Sequence, residues 1–484
     1  MRTDTGGMLR RIQLGNALSA FGSGFTVPYL FVYVANVRGL GPGTAGAVLA
    51  AFAAAALLVL PFVGRVIDRR GPGPVALIGT AAASFGALGF GLAASAPTVL
   101  AAAAVMGGGI AVVQPALATM IVRCSTATSR SRAFATQFFL NNLGMGLGGL
   151  LGGQLVDEAH ASSFTLLFCV EAAMFVGLAV VLATVRLPSP PRPPDAGTVV
   201  SGMDASGTDG TVGAKAIGLR NRPGSEWGAL LRDRPMALLC VLGFVLFFTC
   251  YGQFESGLAA YGVEVAGIST STLGLALFAN TAMIVLTQFV VLRLVEGRRR
   301  SRVIALVGAV WTVAWIAAGV SGLVPHAQAV ATGLLIGTYA LFGVGEAMLS
   351  PTVAPLVADL APAGRVGQYN SAFALVKQLG VSVGPAVGGL MIASQVYAAY
   401  VLLLIGCSVA VSVLALVLGR RLAPEHDCPG SRVVARSLPP ERSGTTADIV
   451  SRTDVGAPVG AGAPTDSQPP ADAEVRGRLA ATVR

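Results

Sequence analysis

Charge is scarce in this chain. Only 12% of its 484 residues are charged, against 54% hydrophobic, where a soluble domain carries roughly a quarter charged residues. That deficit excludes an ordinary water-soluble globule and places the chain in lipid. Lysine is nearly absent, with Lys215 and Lys377 alone. The six cysteines (Cys124, Cys169, Cys240, Cys250, Cys407, Cys428) are scattered and show no CxxC spacing, so neither a metal site nor a disulfide framework is expected. An HExxH helix motif and a Gly-Lys-Ser/Thr phosphate loop are both missing. Those gaps argue against an enzyme, a cofactor or ATP drive. Gly144-Met145-Gly146-Leu147-Gly148-Gly149 has the spacing of a dinucleotide loop, but no strand precedes it and it lies inside an apolar helix pattern. The formal charge of +10 does not indicate nucleic acid, because the basic residues mark membrane orientation, as shown next. No cleavable signal peptide is expected: Arg10 and Arg11 precede an apolar run long enough to span.

What is present is a series of apolar runs near the length of about 20 residues that a bilayer requires. They fall near 12–36, 45–63, 74–95, 98–122, 133–156 and 163–185, then near 236–260, 272–292, 303–323, 329–350, 369–393 and 397–419. The pattern predicts an all-α integral membrane protein of about twelve transmembrane helices, in two six-helix bundles. A cytoplasmic N-terminus (1–11) leads to bundles at 12–186 and 236–420, with a disordered linker (187–235) between them and a disordered tail (421–484). Linker and tail are rich in Pro, Gly, Ser and Asp and have no apolar period. With the N-terminus inside, cytoplasmic segments hold 31 of the 33 Lys and Arg residues. Arg38 alone lies outside and Lys377 alone lies within a span. Both termini and the linker are therefore expected in the cytoplasm. The Ala, Gly and Arg bias suggests a GC-rich bacterial gene and hence an inner cell membrane.

The chain also repeats itself. Shifted by 236 positions, the fourth and fifth helices overlay the tenth and eleventh without a gap. Gly107, Gly109 and Pro115 then meet Gly343, Gly345 and Pro351, while Gly144, Gly148, Gly152 and Gly153 meet Gly380, Gly384, Gly388 and Gly389. Parallel six-helix repeats mark a transporter architecture with its substrate site between the halves.

Between the second and third helices stands Gly64-Arg65-Val66-Ile67-Asp68-Arg69-Arg70-Gly71. A degenerate copy between the eighth and ninth reads Arg293-Leu294-Val295-Glu296-Gly297-Arg298-Arg299. The first matches the Gly-x-x-x-Asp-Arg-x-Gly loop of the major facilitator superfamily, which the chain resembles over roughly residues 10–420, and within it the twelve-span drug:proton antiporters. Gly73 and Pro74 stand where that pattern usually continues with two basic residues. The resemblance implies a cytoplasmic latch that holds the halves together in one state, with Gly64, Arg65, Asp68, Arg69, Gly71 and Glu296 in it and Asp359 and Arg365 as a second-half counterpart. An Asp at one helix end suits the amides that open another. The plainer reading of Arg65, Arg69 and Arg70 is that they fix topology.

The antiporters' fifth-helix signature ends Gly-Pro-x-x-Gly-Gly. Here the fifth helix has Gly148 to Gly153 with Gly149 in place of Pro, and the eleventh carries the fuller Gly384-Pro385-Ala386-Val387-Gly388-Gly389. The resemblance implies helix bending at Gly148, Gly152, Gly384, Pro385 and Gly388; tight packing is the alternative. On the first helix Pro28 fits the export pattern and Phe31 replaces its second proline. The fourth-helix Arg that relatives tie to proton coupling is missing, with Ala103 and Ala104 there instead.

Another group must then carry the proton, and charges inside spans are the candidates, since each costs about 2.5–3.5 kcal/mol on insertion scales. Glu346 on the tenth helix and Lys377 on the eleventh lie about 12 Å from their cytoplasmic ends by helical rise, and the repeat sets them against Ile110 and Asn141. Glu346 is expected to face the cavity and take the proton; the alternative is a static salt bridge with Lys377. Asn16, Gln114, Asn141, Asn142 and Glu255 are candidate cavity residues, each equally able to bond a neighbouring helix or, for Glu255, to be solvated. Glu171 is expected to pack or hydrogen-bond rather than line the cavity. His160 and His326 are too isolated to ligate a metal.

The expectation is a secondary transporter that exports a small amphipathic molecule or drug, coupled to protons, by alternating access. It has the bilayer for surroundings, no nucleic-acid or ATP partner, and acts as a monomer. Uptake of a sugar or organic acid by symport, and a non-transporting sensor or scaffold, are the competing readings.

Overall fold

The computed structural model describes residues 5–157, 160–188, 228, 230, 232–254, 256–324 and 326–429. Glu255, most of the 187–235 linker and the tail beyond 429 lie outside the described residues. Among those described the fold is helical, without strands.

Twelve rods account for it. α1 (Thr5–Thr26) runs on through a 3-10 turn (Val27–Tyr29), one helical turn and a π turn (Tyr33–Val37). Then come α2 (Gly41–Arg70), α3 (Pro72–Leu92), α4 (Ala96–Arg123), α5 (Arg130–Leu155) and α6 (Ala161–Thr184). The second set is α7a (Arg234–Thr249) with α7b (Gly257–Glu264), α8 (Thr270–Val295), α9 (Arg300–Ser321), α10a (Gln328–Leu349) with α10b (Val353–Leu360), α11 (Val366–Ala393) and α12 (Tyr397–Gly419). Ten of these spans are long and apolar enough to cross a membrane by themselves. The other two depart for physical reasons. α5 carries Gln137, Asn141, Asn142 and a glycine run, and α7 is broken.

The breaks follow local chemistry. Gly71 ends α2 at φ +88°, a left-handed-side conformation that only glycine adopts without strain. Pro72 and Pro74 then open α3, where a missing N–H costs nothing. Pro74 is one of the two residues that replace the family's basic pair. α4 begins with a Ser95–Thr98 capping box. The α7 break, Cys250 to Ser256, would leave backbone groups unpaired in a bilayer. Gln253, with no exposed surface, fills it: its Nε2 donates to the carbonyls of Phe248 (3.1 Å) and Gly384 (3.2 Å). Its Oε1 accepts from the Tyr400 hydroxyl at 2.9 Å.

Two groups of helices emerge, α1 to α6 and α7 to α12. In the first, α5 lies against α1; in the second, α11 lies against α7. The repeated glycines make both contacts. A Cβ on Gly148 would fall 3.1 Å from Gly24 Cα, and one on Gly384 would fall 2.6 Å from Gly252 Cα. These glycines therefore mark backbone-to-backbone packing inside each half. Buried cores hold Phe90, Phe164 and Phe168 in the first half and Trp311, Trp315 and Phe342 in the second. Leu58, Phe62, Phe85, Leu286 and Leu402 are among many large apolar side chains left exposed, as a lipid-facing surface requires.

Candidate functional site

The two halves are tied together at one end. Asp68, at the last turn of α2, accepts from the amides of Gly367 (2.7 Å) and Gln368 (2.9 Å), the first turn of α11. A carboxylate on a helix N-terminus is favourable both as a charge-assisted bond and against the macrodipole. Arg123 and Arg365 stand near enough to attract it. Gly64 makes room: a Cβ there would lie 2.6 Å from Gln368 Cα. One turn earlier the Ser371 hydroxyl donates to the Leu60 carbonyl. Arg69 and Arg70 point outward and are exposed, so Asp68 and Gly64 supply the contact between halves.

Three further links lie at this end. Asp359 on α10b joins Arg130 of α5 and Arg300 of α9, the latter at 2.7 Å. The Ser350 hydroxyl donates to the Phe134 carbonyl at 3.0 Å. Arg132 meets Glu296 at 3.3 Å, with both side chains largely or partly exposed. Sequence reasoning placed Asp359 and Glu296 here but missed Arg130 and Arg300. The available signal was that basic residues opening a helix oppose its dipole and call for a carboxylate.

A second centre lies within the second half. Glu346 on α10a is 3% exposed. Its Oε1 accepts from Asn280 Nδ2 of α8 at 2.8 Å, and Tyr251 at the α7 break lies close beside the same carboxylate. Lys377 on α11 is close enough to attract it. Among the described residues, however, the ion pairs within 4 Å do not include these two. The Lys377 ammonium instead sits 5.0 Å from the centroid of the Phe247 ring, a cation–π placement. Phe247 stacks on Tyr251 at 4.9 Å. Lys377 is exposed on α11. Asn280 and Tyr251 were missed, although each is a polar group in an apolar run.

The remaining candidates divide. Asn16 Nδ2 donates to Asn141 Oδ1 at 2.9 Å, which Gln137 Nε2 also reaches at 2.9 Å; this network joins α1 to α5. Asn142 turns back on the Phe138 carbonyl of its own helix. Gln114 is exposed on α4. Glu171 is fully buried and accepts from Thr26 of α1 at 2.7 Å, a bond between helices. His160 pairs with Asp157 at 2.7 Å, and among the described residues nothing clusters as a metal site would.

Comparison with known proteins gives a consistent fold. The family model described as Major Facilitator Superfamily matches residues 12–331 and 297–451. Two Bacillus subtilis proteins, the uncharacterized MFS-type transporters YttB and YqjV, are 24% and 22% identical over 391 and 385 residues. Each alignment covers 79% of this chain, with 88% and 85% of the relatives. Among solved structures, a bacterial homologue of the iron transporter ferroportin in an outward-facing state is similar with TM-score 0.67 at 16% identity, covering 86% of this chain and 100% of its own. FucP in its outward conformation has TM-score 0.66 at 14% identity, covering 85% and 98%.

Proposed function

The chain belongs to the major facilitator superfamily, and on that premise we propose that it exports a small amphipathic molecule in exchange for protons. Glu346 carries the proton. The supporting observation is its setting: a carboxylate buried at the meeting of α7, α8 and α10, bonded by Asn280 with Tyr251 beside it, and with Lys377 near but not in an ion pair. In such a place the group can be neutral, or charged and answered by Lys377, and the change is felt by three helices at once. The substrate binds between the halves. The arginine-rich end is cytoplasmic by the positive-inside rule, so the tied end closes the inner face and the conformation faces outward. The first-half candidates Asn16 and Asn141 serve packing of α1 on α5, leaving Gln114, Lys377 and Glu346 as the polar groups of the path. The protein is an inner-membrane monomer with both termini inside.

The test uses inside-out vesicles with an acid interior and a panel of lipophilic drugs. Drug-dependent collapse of the gradient with the native protein, lost in Glu346→Gln, is the expected result. Collapse that persists in Glu346→Gln removes the residue from coupling. No response to any drug from folded protein favours symport of a metabolite instead.

A further inference from the structure

The two latches are not equivalent. Asp68 enters the start of α11 directly, whereas Glu296, at the matching end of α8, leaves the start of α5 alone and pairs with the Arg132 side chain. α5 opens with no side-chain cap and no acidic residue in its first turn, but with Arg130 and Arg132, so positive side chains stand at the positive end of its dipole. Where a carboxylate would sit there is a cavity of about 360 Å³. Its wall includes Thr128, Ser131 and Arg132 from the first half and Glu296, Arg298 and Arg300 from the second. Arg300 is 3% exposed and leaves Nη2 without a hydrogen-bond partner, and Arg130 Nε lacks one too. Four arginines here stand among three carboxylates: Asp359 serves both Arg130 and Arg300, Glu296 pairs with Arg132, and Asp427, near enough to attract Arg300, spends its bonds on the Ser301 amide and hydroxyl.

We propose that this cavity binds a phosphate-bearing anion that staples α5 to the α8–α9 loop and holds the cytoplasmic end closed. Guanidinium forks, two hydroxyls and a helix N-terminus are the donors that a tetrahedral oxyanion takes. The walls come from both halves, so the site exists only while that end is shut. The anion is inorganic phosphate from solution or the headgroup of an anionic phospholipid; both present the same chemistry. The site stands apart from Glu346 and does not depend on the coupling ion.

Thermal unfolding of the purified full chain tests it. In detergent at constant ionic strength, inorganic phosphate is titrated; in parallel, nanodiscs of phosphatidylcholine are compared with nanodiscs holding equal parts phosphatidylglycerol. A Tm rise of about 2–4 °C is expected for the native protein in at least one arm. It is absent in Arg132→Ala/Arg298→Ala and in Thr128→Glu, which keeps every arginine and puts a carboxylate at the mouth. It is retained in Arg420→Ala/Arg421→Ala, which removes the same charge elsewhere. A rise with phosphate identifies the soluble source, and a rise with phosphatidylglycerol alone identifies the headgroup. No rise in either arm overturns the proposal, as does a rise that survives both site variants or falls equally in the Arg420/Arg421 control.

Discussion

At the residue scale, identity of charge matters less than what each charge touches. Glu346 and Glu171 are both buried carboxylates, yet their partners differ. Glu171 is held by Thr26 on a neighbouring helix, while Glu346 sits at a helix break opposite a lysine. Glu171→Gln should keep the hydrogen bond and leave drug-driven proton flux intact. Glu171→Ala should lower stability by about 1–3 kcal/mol, because the Thr26 hydroxyl loses its shorter acceptor and keeps only the Ser23 carbonyl at 3.4 Å; a denaturation midpoint reads it. Asp68→Asn removes two charge-assisted bonds between the halves. A loss of about 1.5–3 kcal/mol corresponds to a shift of roughly ten- to a hundredfold in the closed-to-open ratio. Spin labels at the tied ends of α2 and α11 should then show a longer distance population, while unchanged distances would remove Asp68 from the latch.

At the element scale, two kinds of close helix contact can be told apart by substitution. Gly384 packs against Gly252 inside the second half, and Gly64 packs against Gln368 between halves. A methyl at either position falls 2.6 Å from a backbone carbon, and overpacking costs about 1–3 kcal/mol. Gly384→Ala should therefore lower the unfolding temperature, whereas Gly64→Ala should leave folding intact and open the tied end. Equal unfolding temperatures for the two variants would contradict this division.

The helices themselves were legible in the sequence, because apolar runs of bilayer length and the 236-residue repeat are first-order signals. The twelve expected spans match the rods closely at most ends; α2 extends to Arg70, beyond the apolar run, because its last turn is the polar latch. Asp68 was readable from its spacing, and its role needs only one neighbour. The surroundings of Glu346 were not, since Asn280 and Tyr251 come from helices distant in the chain. The α7 break was hidden too: Gln253 compensates it from the side, and a hydropathy pattern does not register side-chain bonds to the backbone. Asn16, Asn141 and Asn142 were polar enough to suggest a cavity, but only packing shows that they are used between and along helices.

At the scale of the whole molecule, two pseudo-symmetric halves meet through asymmetric ends. One latch is direct, Asp68 on α11; the other is an arginine-lined cavity beneath α5. The carboxylate proposed to carry the proton is in the second half alone. On that proposal, proton binding at Glu346 would be felt by α7, α8 and α10, and α10b reaches the tied end through Asp359. Contiguous packed elements would then link that one group to rocking of the halves.

On the proposed function, Glu346 couples substrate movement to protons without being needed for the movement itself. Proteoliposomes test it by comparing two rates for a drug that passes the vesicle screen: exchange of labelled for unlabelled drug with no pH gradient, and accumulation driven by a gradient. For Glu346→Gln, exchange should persist near the native rate while gradient-driven accumulation falls to the level of empty liposomes. Accumulation at the native level in Glu346→Gln would contradict the account, and loss of both activities would make Glu346 a structural charge.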